Sequence, residues 1–262
     1  MPRSDRRKAV SFIAFAAALA ALPVAGFAQE DWCSESRDHD AYCEVRELSI
    51  SPRATVQVDA RPNGGISVAG SSAAGILLHV KVTTRGTGAE DLARRVEIVT
   101  DDTIRAVGPK GDRDRHWSVS YRLSVPRETD LDLRSMNGGI SIRSVKGRLE
   151  FQTQNGGVAL EDVAGEVSGR TTNGGLKVSL SGDRWDGSGL DVRTTNGGVV
   201  LAVPSDYNAE LETGTVNGGI RLDFPVEVSG QLKNKLETTL GKGGAPLRIR
   251  TTNGGVRLKH SS

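Results

Sequence analysis

Residues 152–160 read Gln152-Thr153-Gln154-Asn155-Gly156-Gly157-Val158-Ala159-Leu160. Eighteen residues on, the frame returns as Arg170-Thr171-Thr172-Asn173-Gly174-Gly175-Leu176-Lys177-Val178. Asn-Gly-Gly occurs seven times, beginning at Asn63, Asn137, Asn155, Asn173, Asn196, Asn217 and Asn253. In every copy the residues three and five beyond the Asn are apolar, as in Ile66/Val68, Val158/Leu160 and Val256/Leu258. In the last six copies a Leu or Val stands six residues before the Asn, and a Ser or Thr two residues before it. Alternation on both sides of a turn describes two β-strands, each with one buried face. The first copy departs, because Val56 and Val58 fall one residue out of phase; it reads as a divergent or capping unit.

Asn tolerates the left-handed backbone region and Gly enters it freely, so Asn-Gly-Gly suits a sharp corner that needs positive φ. The hydroxyl two residues earlier can bond corner backbone groups that lose their ladder partners. Successive corners lie 74, 18, 18, 23, 21 and 36 residues apart. Eighteen is the unit; 36 reads as two units with one lost signature, and 74 as four divergent units. The extra residues in the 23 and 21 intervals fall at 181–189 and 204–208, as loops on the side opposite the Asn corners.

Asn-Gly between alternating strands is also a hairpin signal, so an antiparallel sandwich or meander competes. Burial decides between them. Every strand has one apolar face, yet the only convincing helix, around residues 89–96, is too short to cover a long sheet. A coil whose two faces pack on each other closes its own core. The expected fold is therefore all-β, a flattened β-solenoid of about 18-residue coils. Its Asn side chains would stack about 4.8 Å apart, within reach of an amide ladder.

Arg3, Arg6, Arg7 and Lys8 precede a run of apolar residues from Ala9 to Ala28, which reads as a signal peptide over residues 1–28. Arg6-Arg7 raises twin-arginine export, although the residues after the pair fit that signal poorly. No later stretch reaches the roughly 18 apolar residues of a membrane span, so none is expected after cleavage. The mature protein is expected in the periplasm or outside the cell. Its parts read as a leader over 29–48 and a β-solenoid over 49–262, with a divergent half (49–130) and regular repeats (131–259). The chain has 34 basic and 32 acidic residues, and the signal holds four of the former and one of the latter. The remainder is almost neutral, which gives nucleic acid no support as a partner. Cys33 and Cys43 are the only cysteines. In an exported protein a disulfide is the default; a metal site with His39 is the alternative, with too few ligands for zinc.

The Thr-Thr-Asn-Gly-Gly units, the entry Cys43-Glu44-Val45-Arg46-Glu47 and the loop Arg184-Trp185-Asp186-Gly187 resemble the bacterial toast-rack family. This is domain-of-unknown-function family 4097, whose members carry the provisional label of adhesin, and the resemblance spans roughly residues 42–259. It implies a coiled β-solenoid at the cell envelope and brings no catalytic residues with it.

The residues themselves offer little chemistry. His39, His79, His116 and His260 lack metal-ligand spacing, and no nucleophile elbow, Walker loop or dinucleotide fingerprint is present. No cofactor is expected. The glycines at 241–244 lack the spacing and the following helix that phosphate binding requires. Asp183 and Asp186 flank Trp185 in an inserted loop, a speculative sugar or calcium site; two carboxylates are few for calcium. An ice-binding array is disfavoured, since the hydroxyl recurs once per unit beside a corner. The leading expectation is a non-enzymatic envelope scaffold or adhesin-like protein that binds an unidentified envelope protein or glycan. The alternatives are a carbohydrate-active enzyme using Asp183 and Asp186, and an accessory domain of an envelope stress-response complex.

Overall fold

The computed structural model describes residues 31–34, 41–111, 116–224 and 234–261. The expected signal peptide and His39 lie outside the described residues. Two ten-stranded sheets pack face to face. Each Asn-Gly-Gly corner carries the chain from a strand of one sheet to a strand of the other, as from Lys146–Asn155 to Val158–Glu161. The strands entering the corners form the entry sheet and those leaving them the exit sheet. Equivalent strands stack in parallel with Asn opposite Asn, so Asn155 pairs with Asn173, and Asn173 with Asn196. The architecture is a flattened β-solenoid, not a meander.

The core lies between the sheets. Of the fourteen apolar positions after the corners, twelve are buried; Ile220 and Leu222, at one end of the stack, are half-buried. The six apolar positions before the corners, from Leu131 to Leu247, are all buried. Fully burying a Leu or Val side chain is worth about 1.5–3 kcal/mol, so these positions are the main source of cohesion. Side chains in neighbouring coils trade volume. Phe151 occupies the space beside Gly169, where an added Cβ would meet its ring at 2.5 Å.

The stack is not wound in chain order. Named by their asparagines, the coils run 63, 137, 155, 173, 196, 253, 217. Two readings of spacing are corrected by this. The interval from Asn63 to Asn137 places no coil between the two, because the asparagines are direct neighbours. Its residues leave the stack and extend both sheets beyond coil 63. Strands His116–Pro126 and Ile76–Arg85 continue the exit sheet, joined at its edge by Ala41–Ile50 from ahead of Asn63; the last two pair antiparallel. Thr103–Val107 and Glu97–Val99 continue the entry sheet, with a short helix at Ala89–Arg94. Alternation looks the same in a stacked coil and an antiparallel excursion, so spacing alone counted them alike.

The interval from Asn217 to Asn253 likewise hides no lost coil. Lys235–Leu240 pairs antiparallel on one edge of Ala209–Asn217. Pro246–Asn253 takes the other edge and enters between coils 217 and 196. Strand Val256–His260 is interior to the exit sheet, between Val199–Val203 and Ile220–Leu222. The phase slip of the first copy has a local cause. Val56 pairs with Leu131 and Val58 with Leu133, in phase, and the extra residue is taken up between Asp59 and Asn63.

Candidate functional site: two corners, two outer faces

The corners carry two ladders. In coil order, each asparagine Nδ2 donates to the Oδ1 of its neighbour at 2.7–2.9 Å, from Asn137 to Asn63 through to Asn217 to Asn253. Inside them the Ser or Thr hydroxyl donates to the first glycine carbonyl of the adjacent coil, as Thr171 to Gly156 and Thr215 to Gly254, both at 2.8 Å. The glycine is required for a reason the sequence did not suggest. The asparagines are not at positive φ, and among the corner glycines only Gly254 is. A Cβ on Gly156 would instead lie 2.2 Å from the carbonyl oxygen of Gly138. Close approach of coils, not a left-handed turn, selects glycine there. The left-handed residues are at the opposite corners, Ser144 (φ 54°) and Asp162 (φ 53°), joined by a 2.9 Å bond from Ser144 Oγ to Asp162 Oδ2.

The loop 181–189 lies at those opposite corners, and its groups do not converge. Trp185 is buried, not exposed beside the carboxylates, and its Nε1 donates to the Gly165 carbonyl at 3.0 Å. Asp186 accepts a 2.7 Å bond from Lys146 Nζ, which raises the Lys146 pKa. Asp183 pairs with Arg184 at 3.3 Å. Tyr207 beside it is pushed up to about 12, by burial first and then by the Asp183 charge. Among the described residues no three His, Cys, Asp or Glu side chains gather as a metal site would. Cys33 and Cys43 form a disulfide with Cα atoms 5.8 Å apart.

The two outer faces differ in kind. The entry sheet presents ion pairs: Arg134 with Asp132 at 3.0 Å, Arg148 with Glu150 at 2.6 Å, and Arg250 with Asp191 at 3.1 Å. The exit sheet presents a trough of about 760 Å³. Its floor is one register row of outward side chains running Arg122, Ser67, Ser141, Ala159, Lys177 and Val200 across six strands. The second corner glycines, such as Gly157 and Gly175, line it on one side, and no carboxylate is among its lining residues. One end is closed by Trp32, which the disulfide holds to strand Ala41–Ile50. The Arg122 guanidinium stacks 3.9 Å from the indole and the Lys81 ammonium lies 5.2 Å from it, a cation–π arrangement. This row was missed in the sequence. Its signal was the outward residue four beyond each Asn, small in Ser67, Ser141 and Ala159, but the placement of Arg122 and Trp32 has no repeat to announce it.

The model of the family Toastrack DUF4097 matches residues 118–259. The chain belongs to this family. The match begins inside strand His116–Pro126, so it covers the stacked coils from 137 onward and leaves out the disulfide-bearing leader. No curated protein matches this toastrack chain. Among solved structures it is similar to a candidate cell adhesion protein from Clostridium sporogenes at 10% identity, over 84% of this chain and 100% of that one, with a TM-score of 0.43. It is also similar to a candidate adhesin from Bacteroides fragilis at 10% identity, over 82% and 97%, with a TM-score of 0.35. A candidate lipid binding protein from Parabacteroides distasonis stands at 12% identity, over 83% and 97%, with a TM-score of 0.35.

Proposed function

We infer that this toastrack protein is an exported, non-enzymatic scaffold that binds a component of the cell envelope through an outer face of its solenoid. The observation that carries the reading is the contrast between the two faces. The entry sheet pairs Asp132, Glu150 and Asp191 with arginines across its face, whereas the exit sheet, beside pairs such as Arg143 with Glu161, offers a long trough whose small apolar and hydroxyl side chains lie between two cations and whose lining holds no carboxylate. Concave, largely apolar surfaces with a few polar groups are the usual form of a binding site. Export is supported by the signal-like start and by the disulfide, a bond characteristic of oxidising compartments. The pairing of Asp183 and Asp186 with separate cations supports a non-enzymatic role over acid–base hydrolysis, which needs two carboxyls flanking one bond.

The test is retention of fractionated envelope material on the immobilised mature protein with its disulfide intact. Retention of at least one fraction is expected. Failure with every fraction, or turnover of a polysaccharide that an Asp183→Asn/Asp186→Asn variant abolishes, would overturn the reading.

A further inference from the structure

We propose that the trough on the exit sheet binds an extended acidic glycan, laid along the solenoid axis with its carboxylates at Arg122 and Lys177. The proposal deepens the scaffold reading and rests on it. Arg122 and Lys177 occupy the same register row, four strand steps apart, with Ser67, Ser141 and Ala159 between them. At about 4.8 Å per step the two cations stand roughly 19 Å apart at the backbone. The floor between them is low because its side chains are small, and the hydroxyls of Ser67 and Ser141 are set into it.

Both cations are available to a ligand. Stacking on Trp32 occupies the face of the Arg122 guanidinium and leaves its N–H edge, the part that grips a carboxylate in a fork. Lys177 is exposed and makes no ion pair with a described residue. No Asp or Glu lines the trough to compete. Charge complementarity therefore selects an anionic ligand.

The shape selects the kind of anion. A peptide strand docks by adding to a sheet edge, and here the backbone N–H and C=O groups of the floor are spent within the sheet, strand to strand. An acyl chain needs enclosure to leave water, and the trough is open along its length. A sugar chain fits, because each ring has a C–H face for the floor and hydroxyls for water, with one ring for each coil step.

Titration of the mature, disulfide-bonded protein with a penta-uronate oligosaccharide, one ring over each of the five positions from Arg122 to Lys177, tests this, with its carboxyl-reduced neutral counterpart alongside. The uronate is expected to bind, and carboxyl reduction or Lys177→Glu to weaken it about tenfold or more, as loss of a charge-assisted contact does. Ala159→Trp, which fills the floor from an outward position, is expected to abolish binding without changing thermal unfolding. Arg193→Glu, on the other outer face, is expected to leave it unchanged. Equal binding of the reduced sugar, indifference to both trough variants, or preferential binding of anionic lipid vesicles or an acidic peptide would each overturn the proposal. If envelope material is still retained in those cases the scaffold reading stands; if nothing is retained, both fall.

Discussion

Each coil of this protein has two corners, and they obey different rules. At the Asn-Gly-Gly corner the chain has no freedom in length: from Asn137 to Asn217 every copy meets its neighbour through the amide ladder, the hydroxyl bond and a glycine backbone at closest approach. At the opposite corner the same coils accept two-residue turns at Ser144 and Asp162 or longer loops at 181–189 and 204–208. The insertion at 181–189 bulges where the chain leaves the stack, since a Cβ on Gly182 would meet no atom within 4 Å, and it returns to close contact at Gly187, where a Cβ would lie 2.3 Å from the Gly165 carbonyl oxygen. Variation in coil length thus marks the corner at which the chain can bulge out between its contacts with neighbouring coils.

Among single substitutions the largest effect should come from adding one methyl to the locked corner. Gly156→Ala places a Cβ against the Gly138 carbonyl, and neither backbone can yield without separating the coils. The expected loss is about 3 kcal/mol or more, read by denaturant unfolding; a loss below that of a surface substitution would show that the coils can slide apart freely. Thr171→Val keeps the shape and removes the donor to Gly156. It should destabilise by about 1–3 kcal/mol, the usual result of leaving a buried carbonyl unpaired. Thr172→Val, one residue on and exposed, serves as the control and should be close to neutral.

Asn155→Ala breaks the outer ladder at two bonds, but water can replace both partners, so about 1 kcal/mol is expected. Acid should reveal a smaller contribution near the first corner. Hydrogen bonding to Arg61 holds the Asp59 carboxyl below its ordinary value of 3.8. Its stabilising effect is present above that value and is lost as pH falls through the folded-state pKa. Asp59→Asn should flatten this part of the acid unfolding curve, and an unchanged slope would assign the acid sensitivity elsewhere. Smallest of all, two Gly-Ser residues inserted after Gly182 should shift stability by no more than about 0.5 kcal/mol. The same insertion after Asn155 should prevent folding, and equal tolerance at both places would erase the distinction between the corners.

The locked corner is also the part that could be read in advance. Asn155, Thr171 and Leu149 recur at fixed offsets because stacking imposes identical neighbours on every coil, so the repeat, the buried positions and both ladders were legible. The order of the coils was not. Nothing in the residues around Asn253 says that its strand enters between two earlier ones, since Thr251 and Leu247 would satisfy any neighbouring coil equally well. The trough was half legible: Ser67, Ser141 and Ala159 follow the period, but Arg122 reaches their row on a strand that returns, after a long excursion, to pair in parallel with Ile66–Ser71, and that register is a tertiary fact. The same holds for Trp32, which is brought to the trough by a covalent bond, not by a pattern.

The position of the C-terminal coil has a consequence for biogenesis. Coils 137 to 196 can be laid down one upon the last as the polypeptide emerges, each on a finished platform. Residues 209–222 have no such platform, because the coil beneath them is made from residues 246–260. They must wait for residues 246–260 to arrive. A premature stop after Phe224 would accordingly strand a whole coil without its foundation, and protease should trim that product back to the end of coil 196.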